Sequence, residues 1–185
     1  MVFNKYLIVH GKSFILRYSF KTLIPPVAKR YLDFPVHPLR PKIQHMYDNR
    51  DPETLWWRVS LHQLGQHKRV VRSWGARRAR VAFRETLKQH GFDEAGKRLE
   101  PGTTQYGCMD SPNGGLKGSL EVIVRVESID EPFAEVQSDM HSLFDQLADK
   151  ARRLGPQRII ASPTPARKPG LWKPKWAGKT NNIGQ

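Results

Sequence analysis

The stretch GSLEVIVRVES, from Gly118 to Ser128, is followed at once by a change of hydrophobic period, and that change limits the fold more than any other feature of the chain. Leu120, Val122, Val124 and Val126 alternate with Glu121, Ile123, Arg125 and Glu127, the two-residue period of a strand with one face buried. Directly after it Phe133, Val136, Met140, Leu143, Phe144, Leu147, Ala151 and Leu154 recur at three- and four-residue steps, which predicts a helix over 132–154 with one apolar side. Asp130 and Glu131 suit the positive end of that helix dipole, and Arg152 and Arg153 suit the negative end.

The same order appears once before. In TLWWRVSLHQ, Thr54 to Gln63, the residues Leu55, Trp57, Val59 and Leu61 alternate with Trp56, Arg58, Ser60 and His62, a second half-buried strand. Ala76, Ala79, Phe83, Leu87 and His90 then keep helical spacing up to Gly91, which predicts a helix from Ala76 to His90. Strand, helix, strand, helix between residues 54 and 154 predicts an α+β domain, a small mixed sheet with two helices packed on one face. Two strands make a thin sheet, so a further strand is expected from 66–74, from 97–109 or from a neighbouring protein. The Gly- and Pro-rich residues 91–118 read as one long loop.

Both flanks read as extensions of this domain. Residues 1–32 carry Lys5, Lys12, Arg17, Lys21, Lys29 and Arg30 before the first acid, Asp33. A basic, acid-free and partly apolar start, with helical spacing between Lys12 and Ile24, is the pattern of a mitochondrial transit peptide or of a retained basic arm. Residues 33–53 continue a proline series at positions 25, 26, 35, 38, 41 and 52 and read as an extended connector. Residues 155–185 form a basic, Pro- and Trp-containing tail with no acid at all.

Charge is what points to a partner. The 185 residues hold 31 Lys and Arg against 17 Asp and Glu, a formal net charge of +14, which favours nucleic acid or an anionic membrane surface. Between Arg58 and Arg84 there is no acid, while Arg58, Lys68, Arg69, Arg72, Arg77, Arg78, Arg80 and Arg84 flank Trp74. Arginine binds phosphate bidentately and stacks on bases, so these residues are the expected RNA contacts. Arg167, Lys168, Trp172, Lys173, Lys175, Trp176 and Lys179 in the tail are expected to join them, since an exposed tryptophan needs a base, a protein pocket or a membrane interface to cover it. The acids Glu135, Asp139, Asp145 and Asp149 fall on the predicted helix 132–154, away from the arginine run.

Other chemistry finds no support in the pattern. The single cysteine, Cys108, excludes an intrachain disulfide and a thiolate-rich zinc site. The seven histidines are scattered, with no phosphate-binding loop, nucleophile elbow or metal-ligand spacing. Cys108, Asp110 and Ser111 in GCMDSPNGG read as turn residues. No cofactor, metal, small-molecule substrate or transmembrane segment is therefore expected. The composite expectation is a non-enzymatic RNA-binding component of a ribonucleoprotein in the mitochondrial matrix, with rRNA and neighbouring ribosomal proteins as partners. Two other readings stand beside it: an organellar factor for RNA processing or DNA maintenance, and a peripheral inner-membrane assembly factor whose basic arms meet anionic lipid.

Overall fold

The computed structural model describes residues 6–99, 106, 109–111 and 114–154. Within them the chain forms a four-stranded mixed sheet and four α-helices. Strand β1 (Leu7–His10) turns through Gly11 to Ser13 into β2 (Phe14–Ser19), and helices α1 (Pro26–Asp33) and α2 (Arg40–Asp48) follow. Next come β3 (Leu55–Ser60), α3 (Arg69–Gln89), β4 (Gly118–Val124) and α4 (Phe133–Leu154). The spatial order is β1-β2-β4-β3, antiparallel except for the parallel pair β3 and β4 that α3 connects.

Alternation decides which face each strand buries. Val9, Phe14, Leu16, Tyr18, Leu55, Leu120, Val122 and Val124 lie in the core together with Ala79, Phe83 and Leu87 of α3 and Val136, Met140, Phe144 and Leu147 of α4. Both long helices cover this one face, α4 over β1 and β2 and α3 over β3 and β4. They meet along their length, where Phe83 and Phe144 approach edge to face at 6.4 Å. The predicted α+β arrangement of two helices on one face of a mixed sheet is therefore present.

The missing strands come from the N-terminus. Where a helix between Lys12 and Ile24 and a separate arm over 1–32 were expected, residues 7–19 form a hairpin that supplies half the sheet. The reason is visible in Phe14, Leu16 and Tyr18, which alternate with Ile15, Arg17 and Ser19 and so bury one strand face. Asp139 of α4 holds the hairpin turn by accepting from the backbone N–H groups of Lys12 (3.2 Å) and Ser13 (2.9 Å). Neither 66–74 nor 97–109 contributes a strand among the described residues.

The proline-rich connector is corrected as well. Residues 26–33 and 40–48 are helices, and in both a proline occupies one of the first two positions, where its missing N–H would have no partner in any case. Helix α3 also begins at Arg69, seven residues ahead of the expected start at Ala76. Its first two turns are polar or exposed, so they carry no apolar period; the buried Gly75 then lets Leu64 pack against the helix, a Cβ there standing 3.2 Å from Leu64 Cδ1. The expected stop holds: Gly91 has φ +78°, its N–H donates to Lys88 O, and the Phe92 N–H donates to Leu87 O, which closes the helix. Strand β4 ends at Val124, and Val126, expected on the core face, lies in a 3₁₀ turn and is exposed.

Candidate nucleic-acid interface

Helix α3 is wound so that its phase sorts the arginine run. At about 100° per residue, Arg69, Arg77, Arg80, Arg84 and Lys88 fall within about 100° of arc, beside the face that buries Ala79, Phe83 and Leu87. Among the described residues no carboxylate pairs with Arg69, Arg77 or Arg80, and Arg84 reaches Glu94 at 2.6 Å. The helix has no acid in its first turn and no side-chain cap, and Lys68 occupies the cap position. Positive charge at that end opposes the helix dipole.

Trp74 stands on the same outer side, 43% exposed. With Arg69, Val70, Ser73 and Arg77 it lines a groove of about 410 Å³ along the first turns of α3. Arg78 points the other way and is a structural residue. Its guanidinium lies 4.4 Å from the Trp74 ring centroid and donates to the carbonyls of Ser128 (2.9 Å) and Glu131 (2.6 Å), tying α3 to the turn before α4. Burial pushes its pKa below the ordinary arginine value. Arg72 is half-buried with its Nε enclosed. Both expected contacts are thus partly enclosed.

Arg58 sits in a row that the linear sequence does not reveal. Register places Arg17 of β2, Glu121 of β4 and Arg58 of β3 side by side on the sheet face that no long helix covers. One carboxylate, itself nearly buried, bridges both guanidiniums, through Oε2 to Arg17 and through Oε1 to Arg58 at 2.5 Å. One positive charge of that row is left over. Aromatic rings flank the row: Tyr6 lies under the Arg17 guanidinium at 5.1 Å, and Trp56 carries Arg50 at 4.5 Å.

Residues Leu23 to Pro26 wall this face into a notch of about 210 Å³ over Arg17, Glu121 and Arg58. That is below the roughly 300–1,000 Å³ of small-molecule pockets. A second groove, about 720 Å³, crosses the edge of β3, and there Arg50 and Arg58 meet Arg80 and Arg84 of α3 opposite Asp93 and Glu94. Arg50 and Arg58 line both hollows, so the basic arc of α3 continues over the sheet edge onto the open face. Arg17, Arg50, Tyr6 and Trp56 were not among the expected contacts. Strand alternation exposes Arg17 once residues 14–19 are read as a strand, whereas nothing local marks Arg50.

Three of the four acids of α4 have partners within the molecule, and the fourth, Glu135, lies beside Glu131. Asp139 holds the β1–β2 turn, Asp145 stands against two histidines, and Asp149 pairs with Arg152 at 2.9 Å. The expected tail contacts Arg167, Lys168, Trp172, Lys173, Lys175, Trp176 and Lys179 lie outside the described residues. Of the loop residues read as turn formers, Ser111 donates from Oγ to Glu53 at 2.8 Å and Asp110 accepts from the Tyr106 N–H at 2.8 Å. Among the described residues no helix is long and apolar enough to cross a membrane. In comparisons with known protein families, with curated proteins and with solved structures, the chain gave no match.

Proposed function

We propose that this chain is a structural RNA-binding component of a ribonucleoprotein, and that the particle is the mitochondrial ribosome. The observation that carries the reading is the outer arc of α3, where Arg69, Arg77 and Arg80 stand exposed with no carboxylate pairing with them among the described residues. Guanidinium groups bind phosphate oxygens bidentately, and a phosphate surface compensates them as a few scattered carboxylates do not. The exposed ring of Trp74 adds sequence-tolerant stacking of an unpaired base. Cations spread over a helix, a strand edge and a sheet face suit the backbone shape of folded RNA.

Protein neighbours have a surface of their own. Helices α1 and α2 bury no residue, and Val27, Phe34, Val36, Leu39 and Met46 are exposed across them and their linker. Large apolar side chains exposed together in one segment are a usual mark of a protein contact. Placement in mitochondria rests on the basic, acid-free start of the chain, and the mature protein keeps that start. Cleavage after residue 20 would remove β1 and β2 and leave a bare parallel pair.

The reading is tested by sedimenting the tagged full-length protein in a gradient with and without ribonuclease, alongside a reporter fused to residues 1–40. Migration with ribosomal particles that nuclease abolishes, and a reporter inside mitochondria, is the expected result. Free migration under both conditions overturns the ribonucleoprotein assignment, a cytosolic reporter overturns the organelle, and nuclease-resistant association with membranes favours the lipid-facing alternative.

A further inference from the structure

We propose that His90, His141 and Asp145 form a binding site for a zinc ion that pins the end of α3 to α4. The three side chains each offer one donor atom, and these atoms lie within 4.8 Å of one another. His141 and Asp145 are four residues apart on α4 and so share one face, with His141 Nδ1 3.2 Å from Asp145 Oδ2. His90 is the cap residue that ends α3, and its Nε2 comes to 3.5 Å from Asp145 Oδ1. Donors around a tetrahedral zinc with bonds of about 2.0–2.2 Å stand about 3.3–3.6 Å apart. The carboxylate of Asp145 comes to about that distance from each ring, from His141 through Oδ2 and from His90 through Oδ1. Closing the two histidines needs only a small rotation of His141, whose side chain is 41% exposed.

The condition of His90 makes a cation the natural occupant. Its ring packs against Phe144 at 4.7 Å and His141 at 4.8 Å. Its Nδ1 lies 3.4 Å from the Tyr106 hydroxyl. In the tautomer that donates from Nδ1 to that oxygen the lone pair of Nε2 is open to a cation, and Nε2 is buried without a hydrogen bond. That lone pair and the neighbouring Asp145 carboxylate are two donors for one cation. Tyr106 then acts as the outer partner that orients a metal-bound histidine. Two imidazoles with one carboxylate select zinc over magnesium or calcium, which take oxygen donors. Asp145 and His141 open outward, so the fourth position would be filled by water or a neighbouring group.

The test uses the full chain stripped with a chelator and titrated with Zn²⁺ in competition with a chromophoric chelator, together with the spectrum of the Co²⁺ form. The expected result is one tightly held equivalent, a four-coordinate Co²⁺ spectrum, and a thermal midpoint that rises with zinc. His141→Ala and Asp145→Asn are exposed changes that leave the core intact, and each should weaken binding by about tenfold or more. His62→Ala, on a remote 3₁₀ turn, should leave it unchanged. Absence of saturable uptake, or uptake that both His141→Ala and Asp145→Asn leave intact, overturns the proposal.

Discussion

Arg78 and Arg80 are two residues apart, and the helix turns them about 200° from each other. Arg80 faces the groove over the β3 edge with no carboxylate pairing with it among the described residues, while Arg78 is clasped by Trp74 and by backbone carbonyls before α4. Arg78→Ala should therefore lower unfolding stability by about 1–3 kcal/mol in denaturant titration, because it removes packing and leaves those carbonyls without a donor. Arg80→Ala should leave the unfolding midpoint unchanged and weaken RNA binding, with a shallower salt dependence. Gly118 gives a backbone counterpart: at φ +97° an added Cβ would stand 2.5 Å from Ser19 O. Gly118→Ala should cost about 1–3 kcal/mol of stability, read from the same titration. The arginines were all legible as a class in the sequence, yet their division into clamps and free cations was not. That division depends on what α3 packs against, and the carbonyls that hold Arg78 lie some fifty residues away.

Secondary structure was readable where one face of an element is buried and the other is wet. Helix α4 shows this plainly, and strand β4, though buried along nearly its whole length, still carries the two-residue period that marks it. The hairpin β1–β2 carries an equally regular alternation from Phe14 to Ser19, but it is short and sits in a segment whose lack of acids invites a targeting explanation. Helices α1 and α2 are short and bury no residue, and the density of prolines around them masks them; those prolines serve at helix starts, where the residue is tolerated. A consequence belongs to this scale. A chain lacking residues 1–20 should lose its cooperative thermal transition, since two strands alone are marginal and Phe14, Leu16 and Tyr18 leave the core with them. Mass spectrometry of the endogenous protein should likewise find its N-terminus ahead of Leu7. A mature form beginning after residue 20 would contradict the four-stranded sheet as the working fold.

Across the whole molecule charge is separated by side. Helix α3, with seven basic residues and one acid, covers β3 and β4, while Asp139, Asp145 and Asp149 of α4, over β1 and β2, are taken up by the hairpin turn, by histidines and by Arg152. The sequence announced the sign of this field through its net charge but not its continuation from α3 across the β3 edge to Arg17 and Arg58, which only strand register brings together. A continuous basic surface binds RNA by releasing counterions, so its strength is read from the salt dependence of affinity. The most direct measurement is the affinity of the purified full-length protein for a structured RNA over a range of salt, compared with an Arg69→Glu, Arg77→Glu, Arg80→Glu triple variant that melts at the same temperature. The account predicts an affinity at least about a hundredfold lower for the variant at low salt, with a log–log salt slope smaller by about 2–3, as loss of three phosphate contacts requires. Equal affinities and equal slopes for the two folded proteins would contradict it.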